Sequence, residues 1–521
     1  MQWRGFFTIT TWRIMVQTAE NHGFNNVSPR ELMEATYKAA GNFQVKAFFE
    51  AKEEILKAGK YSEPEFYEIL DALVDAETER RLVLEALRDA LPLSLADIAA
   101  KIGNFPPEHV IQDIIYLKEQ GFVEEIDEVH SKTITKKVKG ETKEIEIQEH
   151  FYKYQVKDLS NDFHEHYLEP VSIVFDSGAC CQCGWCSSVC PVNAITVTAE
   201  NLKIDGTACI KCGLCFSTCP RSFSFEQAFV NIKKLNESLQ YSGKIGAYMN
   251  TYSATTTKDE IKDVRQDGGV VTSLLEYLLE NKLVDAIIAV KHSEDQPWKP
   301  EPVIIDNVEK LCKTGGSKYA NSPSLTMIGK AKTYENIAIA GVPCMMKAME
   351  KNELYPSGTP FFKNIKYKIG LFCMESFSFD NLNGLIAENF NKDINDITKM
   401  NIKEGKFTIT LQSGEEMAVP MKDVQKYARD SCKYCDDLTS TCADVSVGSI
   451  GSPSGWSSVI TRTDKGESIY NGAIEAGLID SKSLKDVEPG QSLIEKIAET
   501  KKSKCLPVVL KPTTEKVDSE S

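Results

Sequence analysis

Between residues 65 and 87 apolar side chains recur every three or four positions, with Phe66, Ile69, Leu70, Leu73 and Val74 along one face. That spacing predicts a helix. Upstream, Ser28-Pro29-Arg30-Glu31 has the composition of a helix start: a capping Ser, Pro at the first position, acid in the first turn. Residues 1–90 therefore read as a helical region. Residues 91–158 carry a different pattern. A short helix over 94–103 ends at Gly103. A second, over 107–120, has Val110, Ile111, Ile114, Ile115 and Leu117 on its apolar face. A strand at 122–126 and a hairpin pairing 133–138 with 144–147 around Lys139-Gly140-Glu141 complete a winged-helix-like module. Further on, short strands are predicted at 194–197 and 202–205, and longer ones at 245–249, 286–290, 337–340 and 367–372. A helix over 270–279 separates the first two of the longer ones, and 444–460 reads as strand, glycine loop, strand. This is an α/β arrangement across 229–495. Beyond 496 the periodicity fades into Lys, Thr and Ser, which predicts a flexible tail over 496–521 with no role for Cys505.

The strongest chemical signal lies on either side of the two short strands. C-C-Q-C-G-W-C-S-S-V-C-P and C-I-K-C-G-L-C-F-S-T-C-P each contain C-x2-C-x2-C-x3-C-P, the run that holds a [4Fe-4S] cluster in bacterial-type ferredoxins. The fourth cysteine of such a run crosses to the other cluster. The assignment is Cys180, Cys183, Cys186 and Cys219 for one cluster, and Cys209, Cys212, Cys215 and Cys190 for the other. Gly184 and Gly213 stand where the loops turn tightly, and Cys181 falls outside the spacing. Zinc fits poorly, since it takes one or two C-x2-4-C pairs per ion. Residues 159–228 thus read as a two-cluster ferredoxin domain.

Charge and composition narrow the partners. The formal net charge of −15 argues against generic nucleic-acid binding. The helix that would enter a DNA groove carries Glu108, Asp113 and Glu119 against Lys118, so the winged-helix-like module reads as a docking element for protein. The hairpin's Lys132, Lys136, Lys137, Lys139 and Lys143 keep the DNA reading open. No apolar run approaches the ~18 residues of a membrane span. No signal-peptide centre follows Met1, so sixteen cysteines are expected to bind metal in a reducing cytoplasm.

Two loops of the α/β region could meet a phosphate. Gln266-Asp267-Gly268-Gly269 opens the helix over 270–279, and exposed amides there attract anions. Asp-Gly-Gly is equally an ordinary turn. In Gly315-Gly316-Ser317-Lys318-Tyr319-Ala320-Asn321-Ser322, Lys318 could neutralise phosphate and Tyr319 could stack on a ring; a surface loop fits as well. Arg265, Lys313, Lys318 and Lys347 would receive anionic cofactors if they face one pocket. Cys344 and Cys373 follow predicted strands, where α/β folds place their sites. With Cys432, Cys435 and Cys442 they could close a third four-thiolate site, and spacing alone lets Cys442 compete with Cys344.

The motifs Q-D-G-G-V-V-T-S-L-L, G-S-K-Y-A-N-S-P, G-V-P-C, G-L-F-C-M-E-S-F, C-K-Y-C and A-D-V-S-V-G-S-I-G-S-P-S-G-W-S-S-V-I-T-R-T occur in this order over roughly 245–465. In that order they resemble the family of coenzyme F420 hydrogenase/dehydrogenase beta subunits. A ferredoxin module fused ahead of them resembles the F420H2 dehydrogenase type, whose pattern leaves out the first 160 residues. The resemblance implies FAD, a face for the deazaflavin coenzyme F420 as substrate, and one further [4Fe-4S] cluster, three in all. By motif its ligands would be Cys344, Cys373, Cys432 and Cys435, with Cys442 a bystander. Gly268, Gly269, Thr272, Lys318, Tyr319 and Ser322 would line the flavin. The deazaflavin passes only hydride, whereas a flavin also releases single electrons. The implied activity is a coenzyme F420-dependent oxidoreductase, for which no catalytic side-chain acid or base is needed. The implied partners are other subunits of a hydrogenase, heterodisulfide reductase or F420H2 dehydrogenase type of complex, with the chain cytoplasmic at its periphery.

The expected fold class is multidomain α+β: a helical and winged-helix N-terminus, a two-cluster ferredoxin-like domain, and an α/β flavin domain of the F420 beta-subunit type. Three alternatives use the same residues. One keeps the cofactors but takes a ferredoxin or tetrapyrrole as substrate. Another is an iron–sulfur winged-helix redox regulator, and the third an electron relay without flavin.

Overall fold

The computed structural model describes residues 43–87, 92–103, 123–138, 141–156, 171–222, 238–354 and 363–508, with single residues between them. The amphipathic stretch is one helix, Glu63–Leu87, which buries Phe66, Ile69, Leu70, Leu73 and Val74. Helices Phe43–Glu50 and Lys52–Lys57 precede it. Phe48 stacks on Phe66 with ring centroids 5.1 Å apart. The next predicted helix is Leu95–Ile102, started by a reciprocal Ser94–Asp97 capping box and closed by Gly103.

The strand after it is much longer than the hydrophobic pattern predicts. β1 (Val123–Val138) pairs antiparallel with β2 (Glu141–Val156) along its entire length. The turn falls where a wing hairpin is expected, but each arm has 16 residues. An antiparallel ladder continues until Pro or Gly interrupts it, and neither arm contains one. The helix expected over 107–120 and the start at Ser28-Pro29 lie largely outside the described residues.

In the cysteine-rich module β3 (Ile195–Val197) and β4 (Leu202–Ile204) form the predicted antiparallel pair. Gly184 and Gly213 take left-handed φ values of 91° and 71° and start short helices, Trp185–Val189 and Leu214–Ser217. A Cβ on Gly184 would lie 2.8 Å from the Pro323 carbonyl oxygen and the Thr326 nitrogen. The module therefore packs backbone to backbone on the α/β region.

β5 (Gln240–Ser242) and β6 (Gly246–Tyr248) make a small hairpin. β6 is the strand predicted at 245–249, and it stays out of the main sheet. The strand that enters the sheet is β7 (Asn250–Thr256), unforeseen because Thr251, Ser253 and Thr256 take three of its four buried positions. Hydroxyl residues leave no hydrophobic period to read. The predicted β8 (Ala286–His292), β10 (Ile337–Gly341) and β11 (Ile365–Leu371) are present, and β9 (Pro300–Ile305) lies beside β8. β12 (Ile397–Lys403), β13 (Lys406–Leu411) and β14 (Glu416–Pro420) form a separate three-stranded sheet. β15 (Val445–Gly448), β16 (Ser457–Thr461) and β17 (Ile479–Ser483) complete a mixed eight-stranded sheet of order β17-β7-β16-β15-β11-β10-β8-β9.

Neighbouring positions on one strand serve opposite cores. Ile287, Ala289 and Ala338 pack under helices Val270–Glu280 and Asp464–Glu475, while Ile288, Ile337 and Ile339 meet Met345, Met346 and Met349 of helix Pro343–Leu354. Each of the isoleucines and methionines contributes roughly 1.5–3 kcal/mol on burial. The two layers fix the strand directions. β8, β10, β11 and β15 are parallel, and β7 runs the same way because both it and β15 are antiparallel to β16. Five strands thus deliver their C-terminal ends to one edge of the sheet.

The last helix, Gly490–Ser503, runs through the predicted tail boundary and buries Ile494, Ala498 and Lys501. The tail reading is corrected for 496–508: Ile494, Ile497 and Ala498 keep helical spacing, and the aliphatic stem of Lys501 extends it under a polar name. Residues 509–521 lie outside the described residues. Among the described residues no helix is long and apolar enough to cross a membrane.

Candidate functional site

The shared sheet edge gathers the chemistry. β7 leads into the Gly268–Gly269 turn, β8 ends at His292, β10 leads to Cys344, β11 to Cys373, and β15 to the 449–456 glycine loop. At Gly268 a Cβ would lie 2.6 Å from the Ala254 oxygen and the Ser457 nitrogen. The Gly268 amide donates to Ser457 Oγ at 3.0 Å. This glycine serves close helix–sheet packing, with its amide already engaged. Gly269 is the left-handed N-cap of helix Val270–Glu280, and Thr272 lies buried in its first turn.

Lys318 does not point out as a free phosphate receptor. Its ammonium donates to the carbonyls of Thr314, Gly315 and Gly316 at 2.6, 2.6 and 3.0 Å and so ties its own loop. Burial pushes its pKa down to about 7, while the three carbonyls favour the charged form. Tyr319 is half-buried and packs edge-on to Phe407 of β13 at 5.6 Å. Burial, reinforced by Asp267, raises its phenol. Asp267 is itself raised by burial against the opposing pull of Lys399, Lys403 and Arg265. Lys399 and Lys403 are site cations that no local sequence feature singles out. Ser322 and Asn321 are buried, and Asn321 Nδ2 has no hydrogen-bond partner. His292 Nδ1 is likewise unpartnered. These two unspent groups fit a polar ligand such as a flavin nucleotide. The four cations considered together in the sequence do not share a pocket: Lys347 pairs with Asp436 at 2.6 Å beside the cysteines, while Arg265 bonds Thr255.

The thiols fall into three sets. Cys180 neighbours Cys219, Cys186 neighbours both, and Cys183 neighbours Cys186. Cys212 lies by Cys215, Cys190 and Cys209, and Cys215 by Cys190 and Cys209. The fourth cysteine of each run has neighbours in the other run: Cys219 lies by Cys180 and Cys186 as well as Cys215, and Cys190 by Cys212 and Cys215. In the third set Cys373 lies by Cys432 and Cys435, and Cys344 by Cys435. Cys442 sits apart in the core near Glu350 and Asp437. Cys181, outside the ligand spacing, lies beside both Cys183 and Cys344, and so between the first set and the third. Cys505, to which the tail composition assigned no role, comes near Asp436 and Cys435.

Burial pushes the thiols of Cys180, Cys215 and Cys373 up to about 12 and that of Cys219 up to about 11. Ionising so many neighbouring thiols requires a compensating positive centre, which bound iron supplies. Amides aimed at sulfur add to the fit: Ala194 donates to Cys190 Sγ at 3.2 Å and Ser376 to Cys432 Sγ at 3.4 Å. Arg221 neighbours Cys435, Cys181 and Cys344, and its buried Nε is unpartnered, as is Trp185 Nε1. Among the described residues no three His, Cys, Asp or Glu side chains converge as a single ion demands.

Short backbone links join the sets to the loop over 315–325. Ala320 bridges Phe377, just past Cys373, and Phe377 bridges Ala428, just before Cys432. Leu325 donates its amide to the Cys183 carbonyl at 3.0 Å, and Ser188 Oγ donates to the Leu325 carbonyl at 2.6 Å. Lys60, Lys351 and Lys501 reach cysteine carbonyls from three other parts of the chain; none carried a sequence signal. A depression of about 450 Å³ lined by Asn336, Lys363, Lys366 and Lys465 opens beside the first residues of β10 and β11, at the opposite edge from this chemistry.

Comparison with known proteins places this geometry. Residues 172–237 match a 4Fe-4S dicluster domain. Residues 251–329 match the N-terminal part, and 334–487 the C-terminal part, of the coenzyme F420 hydrogenase/dehydrogenase beta subunit. The chain is 38% identical over 264 residues to the beta subunit of coenzyme F420 hydrogenase from Methanothermobacter thermautotrophicus, covering 50% of this chain and 93% of that protein. It is 33% identical over 346 residues to one of the subunits of F(420)H(2) dehydrogenase from Methanosarcina mazei, covering 64% and 92%. A chain of the F420-reducing [NiFe] hydrogenase complex from Methanosarcina barkeri superposes with a TM-score of 0.50 at 34% identity, covering 51% of this chain and 92% of that one. The mixed sheet with its cysteine-bearing strand ends, and the ferredoxin module packed on it, make this chain an iron–sulfur member of the family of coenzyme F420 hydrogenase/dehydrogenase beta subunits.

Proposed function

We propose that this chain exchanges a hydride with coenzyme F420 at bound FAD and relays single electrons through three [4Fe-4S] clusters to or from a partner complex. The observation that carries this reading is the unbroken adjacency of the third thiol set, Cys181 and the first ferredoxin set. When bound, FAD supplies exchange between hydride and single-electron chemistry, and the clusters supply the one-electron relay. Cys344, Cys373, Cys432 and Cys435 hold the third cluster, next to the flavin loops. Cys180, Cys183, Cys186 and Cys219 hold the next, and Cys190, Cys209, Cys212 and Cys215 the last.

Gly269, Thr272, Tyr319 and Ser322, with Asn321, form the flavin cradle. Gly268 and Lys318 shape that cradle from behind, as packing contact and loop tie. Lys399, Lys403 and Arg265 give its rim a positive face for anionic coenzymes. The domains are a helical region over 1–90, a winged-helix-like docking module over 91–158, the ferredoxin domain over 159–228, and an α/β domain continuing through the last helix. The partners are electron-transfer subunits of hydrogenase, heterodisulfide reductase or F420H2 dehydrogenase type, with the chain at the cytoplasmic periphery.

Anaerobic protein mixed with reduced coenzyme F420 and a viologen dye tests this directly. We expect deazaflavin absorbance to rise in step with dye reduction, in protein carrying flavin and about twelve iron atoms per chain. Flavin and iron present with the deazaflavin still reduced would remove the substrate assignment and favour a ferredoxin- or tetrapyrrole-linked reductase.

A further inference from the structure

Each thiol set is approached by a buried ammonium that bonds a cysteine carbonyl, and the third set has Lys347 and Arg221 beside Cys435 as well. Lys351 Nζ, at the end of helix Pro343–Leu354, donates to the Cys219 carbonyl at 2.6 Å and to Ser222 Oγ at 2.8 Å. Lys60 Nζ, from the N-terminal helical region, donates to the Cys190 carbonyl at 2.7 Å and the Ser187 carbonyl at 3.1 Å. Lys501 Nζ, from the last helix, donates to the Cys373 carbonyl at 2.5 Å and the Asp437 carbonyl at 2.8 Å. All three residues are at least nine-tenths buried.

The pattern is not that of ordinary capping lysines. Cys190 and Cys219 are the same position of the two repeated cysteine runs, the crossing cysteine before proline. The lysines bound to their carbonyls come from parts of the chain with no repeat relationship. Two unrelated segments have thus placed the same charge at the same point of each half-motif. Cys373 shows the arrangement a third time, outside the ferredoxin module. Removing an ammonium from water is costly unless negative charge awaits it. A cubane with four thiolates is net negative and gains a further negative charge on reduction, so a fixed cation beside it favours the reduced form. Net charge and hydrogen bonding around a cluster set its potential.

We propose that Lys60, Lys351 and Lys501 are positioning residues that set the reduction potentials of the three clusters, one lysine to each. The inference rests on the three-cluster reading above. It also gives the N-terminal region, which lies outside the family match, a share in the relay: Lys60 holds the potential of the last cluster before the partner.

The test is a redox titration of the full-length holoprotein under anaerobic conditions, followed by electron paramagnetic resonance, with iron counted for each variant. Lys60→Gln, Lys351→Gln and Lys501→Gln keep a donor and remove the charge. Each is expected to shift one of the three reduction steps to more negative potential, a different step in each variant, while Lys→Arg at the same position restores it. Unshifted potentials at full iron content would overturn the proposal. Where a Gln variant loses iron, retention of that iron and of the wild-type potential by the Arg variant supports the charge role; loss in both shows that only lysine's shape matters and overturns it. Wild-type protein with too little iron for three clusters would instead remove the reading on which the inference stands.

Discussion

His292 shows how a single side chain is set by the sheet edge around it. It ends β8, meets Trp298 edge-on at 5.0 Å, and leaves a buried Nδ1 without a partner. Burial, then the nearby Lys318 ammonium, lowers its pKa from 6.5 to about 4. The folded state therefore holds it neutral where the unfolded chain would protonate it. That contribution to stability is fully present above about pH 6.5 and is lost as pH falls towards about 4. In wild-type protein kept anaerobic, the thermal midpoint should drop between about pH 7 and pH 5.5 more steeply than in His292→Phe. Parallel curves would show that His292 is not the group responsible. Arg462 lies at the other extreme of legibility. Its guanidinium is buried and donates to Ser446 Oγ, to the carbonyls of Ile245, Ala247 and Thr439, and to Thr439 Oγ1. Nothing in the local sequence marks it, because its acceptors lie 16 to 217 positions away.

At the scale of elements, strands rich in Ile, Val and Ala are readable and strands built on hydroxyls are not. β8, β10 and β11 announce themselves, whereas β7 does so only once Ser253 and Thr256 are seen buried in the sheet. The turn after β7 adds a second lesson. Asp-Gly-Gly suggests either a phosphate site or a plain turn, and the tertiary contacts divide its roles. Gly268 is pressed between Ala254 and Ser457, and Gly269 supplies the left-handed cap. Gly268→Ala should force the start of helix Val270–Glu280 off the sheet and cost about 1–3 kcal/mol, the range for overpacking. Denaturant unfolding measures the loss, and a change within error would mean that the backbone there yields. The helix at 490–503 escapes a reading by composition, because a Lys-rich tail and a helix that buries its lysine stems share one.

At the scale of the whole molecule, the cysteine loops sit inside the interfaces between modules. The Cys183 loop is bonded to Leu325, and Lys60 and Lys351 reach into the ferredoxin module from either side in sequence. Metal binding and folding are linked when the ligand set is assembled only in the native state. Stripping iron with a chelator should therefore lower the unfolding midpoint of the α/β domain as well as that of the ferredoxin module, seen as a loss of tryptophan and far-UV signals together. A ferredoxin transition that moves alone would show the interfaces to be independent of the clusters.

The sequence by itself determined what is local and repeated. Cysteine spacing points to two ferredoxin sets and their crossing, since three or four residues of chain can reach around only one cluster. Ordered short motifs fixed the family, and helical periodicity fixed the long N-terminal helix. Tertiary structure added what spacing had left open: Cys344 lies beside Cys435 while Cys442 sits apart, Cys181 lies beside both Cys183 and Cys344, and three distant lysines each find a cysteine carbonyl. Those outcomes depend on which strand ends share an edge and which modules meet. Contacts between residues a hundred or more positions apart leave no mark on the local pattern of either partner.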